Sequence, residues 1–156
     1  MVETTLNEQF LRECECFGCG ASNPNGLQLK VHLDPSDSER IVGRFTPSEA
    51  FIGFPGITHG GVVFTALDCM ATWAGMMLME GPKALWLLRN AQVTYHRPAR
   101  EGEPLNLSAT IPKRAKLGTS QLVHNEARNE AGDLLVHGRY KIIPFTADKF
   151  KSVLAI

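Results

Sequence analysis

Gly61, Thr65, Asp68, Thr72 and Gly75 follow one another at steps of four, three, four and three residues within an otherwise apolar run. That spacing places them on one face of an α-helix. Asp68 is the only charged residue between Gly60 and Met79, where its neighbours include Val62, Val63, Phe64, Leu67, Met70 and Trp73. An ionised carboxylate in such company is costly unless it is paired, hydrated or protonated. Desolvation therefore raises its pKa above the usual value of about 3.9. Two uses fit it: a structural carboxylate bonded to Thr65, Thr72 or a loop amide, or a group that moves protons or attacks an electrophile.

The start of the helix points to the second use. Thr58-His59-Gly60-Gly61 supplies a cap and two glycines where backbone N–H groups have no intrahelical acceptor. Glycine costs about 0.8–1.0 kcal/mol relative to Ala in a helix interior, so a pair of them suggests close approach to the backbone. The positive end of the helix dipole favours a carbonyl oxygen gathering negative charge. Gly61 and Asp68 lie about 10.5 Å apart along the axis at 1.5 Å per residue. Asp68 would then act through its side chain, on a substrate lying along the helix or through a water. Hydrolysis of an acyl group suits that layout.

Other reactive residues are less pointed. Cys16-Phe17-Gly18-Cys19 has knuckle spacing and Cys14 adds a third sulfur, but Cys69 is far along the chain and no second Cys/His pair succeeds them. Reduced structural thiols are preferred over a closed four-ligand zinc site. No metal is expected, since His32, His96, His124 and His137 show no helical metal-binding spacing. Lys113, Arg114 and Lys116 form a basic hairpin tip. It is a solvated turn in the plainer reading and a patch for phosphates in the other. Trp73, Trp86, Met70, Met76, Met77 and Met79 read as core or interface packing, or as the lining of an acyl tunnel.

The elements that position these residues are set by periodicity. A short amphipathic helix is predicted over 4–14, and a Gly/Asn/Pro loop over 16–26. Residues 27–33 and 40–46 read as antiparallel strands around a turn at Pro35-Ser36. A Gly/Pro loop over 51–58 delivers the chain to the long helix Gly60–Met79, which Gly81-Pro82 ends. Four strands then span 85–96, 105–111, 121–129 and 134–144 as a meander, and a short closing helix spans 148–156. Grouped strands around one helix define an α+β class with a mostly antiparallel sheet. The chain has 156 residues, 16 basic and 16 acidic, with 44% hydrophobic and 21% charged. That suits a single domain over 1–156, with its core at about 16–145. Neutrality argues against nucleic acid or an anionic membrane as the main partner. The long helix is near membrane length, but a central Asp and the lack of flanking anchors favour a protein interior. Without a visible signal peptide, the expected location is the cytoplasm.

Gly53-Phe54-Pro55-Gly56-Ile57-Thr58-His59-Gly60-Gly61, with Asp68 nine residues beyond His59, resembles the hotdog-fold acyl-CoA thioesterases, in particular the phenylacetyl-CoA thioesterase-like branch. Cys16-Phe17-Gly18-Cys19-Gly20, Asn25-Gly26-Leu27 and Val93-Thr94-Tyr95-His96-Arg97-Pro98 extend the resemblance from about Cys16 to Pro144. It implies a curved antiparallel sheet wrapped around one central helix. It also implies an active site between two subunits of a homodimer or a dimer of dimers. The substrate would be an acyl-CoA thioester, with CoA part of the substrate and no cofactor. By resemblance, Gly60 or Gly61 donates an N–H to the thioester oxygen, Asp68 is general base or nucleophile, and His59 positions the thioester or shapes the loop. Thr65, Thr72, Arg89, Asn90, Lys113, Arg114 and Lys116 are candidates for substrate binding.

Two positions depart from the family pattern. Residues 51–54 lack the Asn that several relatives carry before His-Gly-Gly. Leu88 stands where many have Ser or Thr, leaving Arg89 or Asn90 to replace the hydroxyl. The alternatives are a non-catalytic acyl-CoA binding or regulatory module and, further off, an enoyl-CoA hydratase or dehydratase using His59 with Asp68.

Overall fold

Thr5 opens the first helix, α1 (Leu6–Phe10), with a capping box: its hydroxyl accepts from the Glu8 N–H while the Glu8 carboxylate accepts from the Thr5 N–H. The computed structural model describes residues 4–80 and 84–146. The helix is shorter than the expected span 4–14 because Cys14 is drawn into the adjoining loop, where its carbonyl accepts from the Ser22 N–H. Asn7 is buried and ties α1 to that loop and to the strand beyond it. Its amide donates to the carbonyls of Cys19 (2.7 Å) and Leu29 (3.2 Å), and its Oδ1 accepts from the Val31 N–H (2.9 Å).

Strand β1 (Lys30–Asp34) begins later than residue 27, although Leu27 and Leu29 are buried as their alternation requires. Gln28 adopts a φ of 55°, and the N–H groups of Leu27 and Leu29 bond to Phe17 and Gly18 of the loop instead of a strand. Strand β2 (Asp37–Phe45) pairs with β1 across the turn at Pro35-Ser36. The 51–58 loop holds more order than its glycines suggest: a 3-10 turn (Glu49–Phe51), then short strands β3 (Ile52–Phe54) and β4 (Ile57–Thr58), paired around Gly56. Gly56 has a φ of 73°, a left-handed conformation that favours glycine.

Helix α2 (Gly60–Leu78) ends one residue earlier than predicted; residues 81–83 lie outside the described residues, as does the predicted closing helix. Strands β5 (Leu85–Tyr95), β6 (Leu105–Thr110), β7 (Gln121–Arg128) and β8 (Leu134–Phe145) complete the sheet. All pairings in the six-stranded sheet are antiparallel, in the order β1-β2-β6-β7-β8-β5. The expected four-strand meander is corrected. Only β6, β7 and β8 run as one, while β5 lies at the sheet edge against β8, from Leu85 opposite Phe145 to Tyr95 opposite Val136. Two strands of nearly equal length thereby satisfy each other's backbone groups along their lengths, and β2 is left to pair with β6.

α2 packs against β2, β5, β6, β7 and β8. By length and hydropathy it could cross a membrane, yet it is the central helix of the core. Trp73, Leu67, Met70 and Val63 are almost wholly buried there, each contributing about 1.5–3 kcal/mol of hydrophobic stabilisation for a large side chain. One long helix on a six-stranded antiparallel sheet is the hotdog fold. Gly61, Thr65, Asp68 and Thr72 are not fully buried, so the expected helix covered on all sides is instead buried on most of them.

Candidate active site

The start of α2 is braced from three directions. The His59 N–H donates to the Phe51 carbonyl (2.8 Å), the Thr58 N–H donates to Ala99 (2.9 Å), and the Tyr95 hydroxyl donates to the Gly60 carbonyl (2.8 Å). His59 is the cap itself: its Nδ1 accepts from the Gly61 N–H at 2.9 Å. Nδ1 therefore carries no proton and Nε2 is the N–H. The bond also divides the two glycines. The Gly61 N–H is engaged, whereas Gly60, as first helical residue, has an N–H without an intrahelical acceptor. A Cβ on Gly60 would stand 3.3 Å from the Tyr95 ring. A cavity of about 350 Å³ opens beside Gly60, lined also by Tyr95, His96, Arg97, Pro98 and Val136.

Asp68 lies in a different cavity, of about 330 Å³, with Leu11, Cys16, Trp73, Leu87 and Leu88 in its walls. Its Oδ1 is buried and accepts no hydrogen bond from the described residues. Burial first, and the Cys16 sulfur second, hold the Asp68 carboxyl above its ordinary pKa. The structural use foreseen for it is not realised through Thr65 or Thr72. The Thr65 hydroxyl donates to the Gly61 carbonyl (2.9 Å), and that of Thr72 donates to the Asp68 carbonyl (3.2 Å). Tyr140 is close by: burial chiefly, then Tyr95 and Asp68, push its phenol well above the usual range, and its buried hydroxyl makes no hydrogen bond among the described residues.

The other expected site residues divide. Thr72 lines the Asp68 cavity; Thr65 packs its methyl towards the Gly18 loop. Gly75 ends the small-residue stripe under a side chain of its own chain: a Cβ there would meet the Trp86 ring at 2.6 Å. Leu88 lines the cavity, but Arg89 and Asn90 do not. Both are exposed on β5, and Arg89 falls at a bulge in its pairing with β8. Lys113, Arg114 and Lys116 sit on the exposed β6–β7 turn, near the opposite end of α2 from Gly60. Arg114 pairs there with Glu39 and approaches Glu80 at 3.9 Å. Met76, Met79 and Trp86 line a third cavity of about 370 Å³ with Leu117 and Gly118. Sequence reading missed two groupings. His96 Nε2 and His137 Nδ1 are 2.7 Å apart on the surface, and Cys69 joins Cys16 and Cys19, the three sulfurs all within 4.8 Å of one another.

Known proteins share this fold and part of its sequence. Residues 55–136 match the family model described as the Thioesterase superfamily, a stretch that includes His59, both glycines and Asp68. Over 112 residues the chain is 29% identical to mouse (Mus musculus) acyl-coenzyme A thioesterase 13, covering 71% of this chain and 77% of that protein. Among solved structures, thioesterase HI1161 of Haemophilus influenzae superposes with a TM-score of 0.72 at 17% identity, over 92% of this chain and 93% of its own. The E. coli PaaI protein from the phenylacetic acid degradation operon gives 0.66 at 17% identity, over 77% and 81%. A Streptococcus pneumoniae thioesterase protein crystallised with coenzyme A gives 0.65 at 12% identity, over 75% and 85%.

Proposed function

The chain belongs to the thioesterase superfamily, and from that premise we propose that it hydrolyses an acyl-CoA thioester to a carboxylic acid and free CoA. One observation carries the assignment of Asp68: it lines a cavity on the helix whose N-terminus offers the Gly60 N–H, and its buried Oδ1 has no hydrogen-bond partner among the described residues. In this reading the Gly60 N–H polarises the thioester carbonyl, and His59, locked by its cap bond, shapes the loop that presents it. Asp68 takes a proton from water as the water oxygen bonds to the carbonyl carbon, or attacks that carbon itself to form an anhydride that water then opens. The C–S bond breaks in either case and CoA leaves as thiolate. The mouse relative's name and the CoA bound in the pneumococcal neighbour support acyl-CoA as the substrate class.

Eight residues separate Gly60 from Asp68, about 12 Å along the axis at 1.5 Å each, and the two line different cavities. This supports a site formed by the helix start of one protomer and Asp68 of its partner in a homodimer or a dimer of dimers. The edge of β5, unpaired among the described residues and with Leu85, Leu87 and Tyr95 exposed, offers a surface for such pairing. Lys113 and Lys116 are the cations proposed for the CoA phosphates; Arg114 already has carboxylate partners. A cytoplasmic, reducing location fits the four free cysteines.

The test is thiol release from short, long and aromatic acyl-CoAs by wild type, Asp68→Asn and Asp68→Ala, with folding followed by circular dichroism. A positioned general base contributes about 100- to 10,000-fold to rate; a fall of that size in folded variants is expected. The second reading, a non-catalytic acyl-CoA binding module, is favoured by Leu88 standing in the Asp68 cavity in place of a hydroxyl. Tight binding without thiol release across the panel would establish it and remove the first. Hydration of an enoyl thioester would need His59 as a proton-transfer partner, and its Nδ1 is committed to the helix cap.

A further inference from the structure

We propose that Cys16, Cys19 and Cys69 form a three-thiolate zinc site that clips the leading loop to α2 at the wall of the Asp68 cavity. This assignment does not depend on the catalytic reading.

The sulfurs converge from two remote parts of the chain. Cys16 Sγ and Cys69 Sγ are 3.8 Å apart, and each pair of the three lies within 4.8 Å. Tetrahedral zinc with Zn–S bonds of about 2.3 Å places its sulfurs about 3.8 Å apart. One pair already has that spacing, and closing the widest requires about 1 Å at most. The loop is shaped for the convergence. The Gly20 N–H donates to the Cys16 carbonyl at 2.9 Å, which turns the chain back on itself. A Cβ on Gly20 would stand 2.4 Å from the Cys16 nitrogen, and one on Gly18 would stand 2.4 Å from Cys69 Sγ. Only glycine at both positions lets the Cys-x-x-Cys turn settle on the helix.

Donors surround the sulfurs: the backbone N–H groups of Cys19 and Gly18 face the Cys16 sulfur. Trp73 Nε1 donates to Cys19 Sγ at 3.4 Å. Hydrogen bonds of this kind orient metal-bound sulfur and offset its charge. Three sulfur donors select a thiophilic d10 ion over magnesium or calcium, and zinc accepts three protein ligands with the fourth place open. Here the fourth place faces the cavity shared with Asp68. Binding would release the thiol protons, so affinity should rise with pH.

The full chain, expressed in zinc-supplemented medium and purified without chelator, is tested by elemental analysis and by cobalt substitution. About one zinc per chain is expected, with sulfur-to-cobalt charge-transfer absorption. Cys16→Ser, at a half-buried position that tolerates the polar atom, should lose at least about tenfold in zinc content; Cys69→Ser, buried, is read only where circular dichroism shows it folded. Cys14→Ser, in the same cavity but outside the triad, and Asp68→Asn should both retain the ion. Wild type holding less than about 0.1 zinc per chain, or zinc content unchanged in Cys16→Ser, overturns the site. Loss of zinc in Asp68→Asn overturns the open fourth position, and a disulfide among the three cysteines found by mass spectrometry overturns the thiolate assignment.

Discussion

Gly75→Ala separates two meanings of the small-residue stripe on α2. If the stripe is small so that a ligand or partner can approach, one methyl at its end should be tolerated by the free chain. If Gly75 is small because the protein's own core fills the space, the methyl should be resisted. A Cβ at this position would lie 2.6 and 2.7 Å from two atoms of the Trp86 ring and 2.7 Å from Ile142 Cδ1. Trp86 is 3% exposed and Ile142 is fully buried, so room for the methyl comes only from shifting the ring within the core, towards the cavity it lines. Overpacking of this kind costs about 1–3 kcal/mol, whereas replacing a mid-helix glycine by Ala returns about 0.8–1.0 kcal/mol. The net is a destabilisation of up to about 2 kcal/mol. At about 2–4 °C per kcal/mol for a chain of this length, Tm should fall by up to about 8 °C. Urea unfolding of the four proteins in a cycle with Trp86→Leu isolates the contact. Removing the indole should relieve the clash and give a coupling of at least about 1 kcal/mol. A rise in Tm for Gly75→Ala, or effects additive within about 0.5 kcal/mol, would refute the argument that the indole dictates this glycine.

Tyr95→Phe removes the bond to the Gly60 carbonyl and should lower stability by about 0.5–1.5 kcal/mol. In a thiol-release assay it should also lower kcat more than it changes KM; an unchanged kcat with a lowered Tm would restrict the brace to folding. Asn7→Ala strips three hydrogen bonds that join α1, the cysteine loop and β1. A loss of about 2–4 kcal/mol in urea unfolding is expected, since a buried N–H and two carbonyls lose their partners. Asp34 is held at a pKa of about 2 by the Ser36 hydroxyl and N–H and then by Arg40. A depressed carboxylate contributes stability above its unfolded pKa and loses it as pH falls through the folded one. The pH-dependent part of the stability difference between wild type and Asp34→Asn should therefore hold constant above about pH 5, fall as pH drops through about 2, and be gone by about pH 1.

The helix and its carboxylate were legible from sequence because helical periodicity is local. Five residues at steps of four and three share a face whatever surrounds them. What those residues touch is not local. The structural reading allowed the threonines flanking Asp68 to reach it, but a helical Thr hydroxyl has the carbonyl four residues back within range, and both take it. The strands were legible for a similar reason, and their partners were not. Alternation reports which side chains face inwards and carries no statement about which neighbour supplies the ladder, so β5 read as the first strand of a meander when its partner is β8. Cys69 looked remote because 53 residues separate it from Cys16. Only the docking of α2 onto the loop, through Gly18, makes them neighbours.

Two unsatisfied features of the single chain coincide in space. Among the described residues, the β5 edge presents backbone groups without a ladder partner, and the exposed Leu85 and Leu87 on that strand also line the Asp68 cavity, where Oδ1 has no hydrogen-bond partner. An exposed, partly apolar edge is a site for strand pairing, and a buried unpaired carboxylate oxygen is costly. One event, pairing of β5 with another copy, would answer the first and enclose the second. Enclosure matters for chemistry because a carboxylate shielded from bulk water is a stronger base than one in solution. The same desolvation that burdens the fold at Asp68 would then supply the base its reaction needs, and the small-residue face of α2 explains where that burden is placed. Glycine at position 75 lets the core close tightly at one end of the stripe, glycines 60 and 61 leave the backbone accessible at the other, and the carboxylate stands between them.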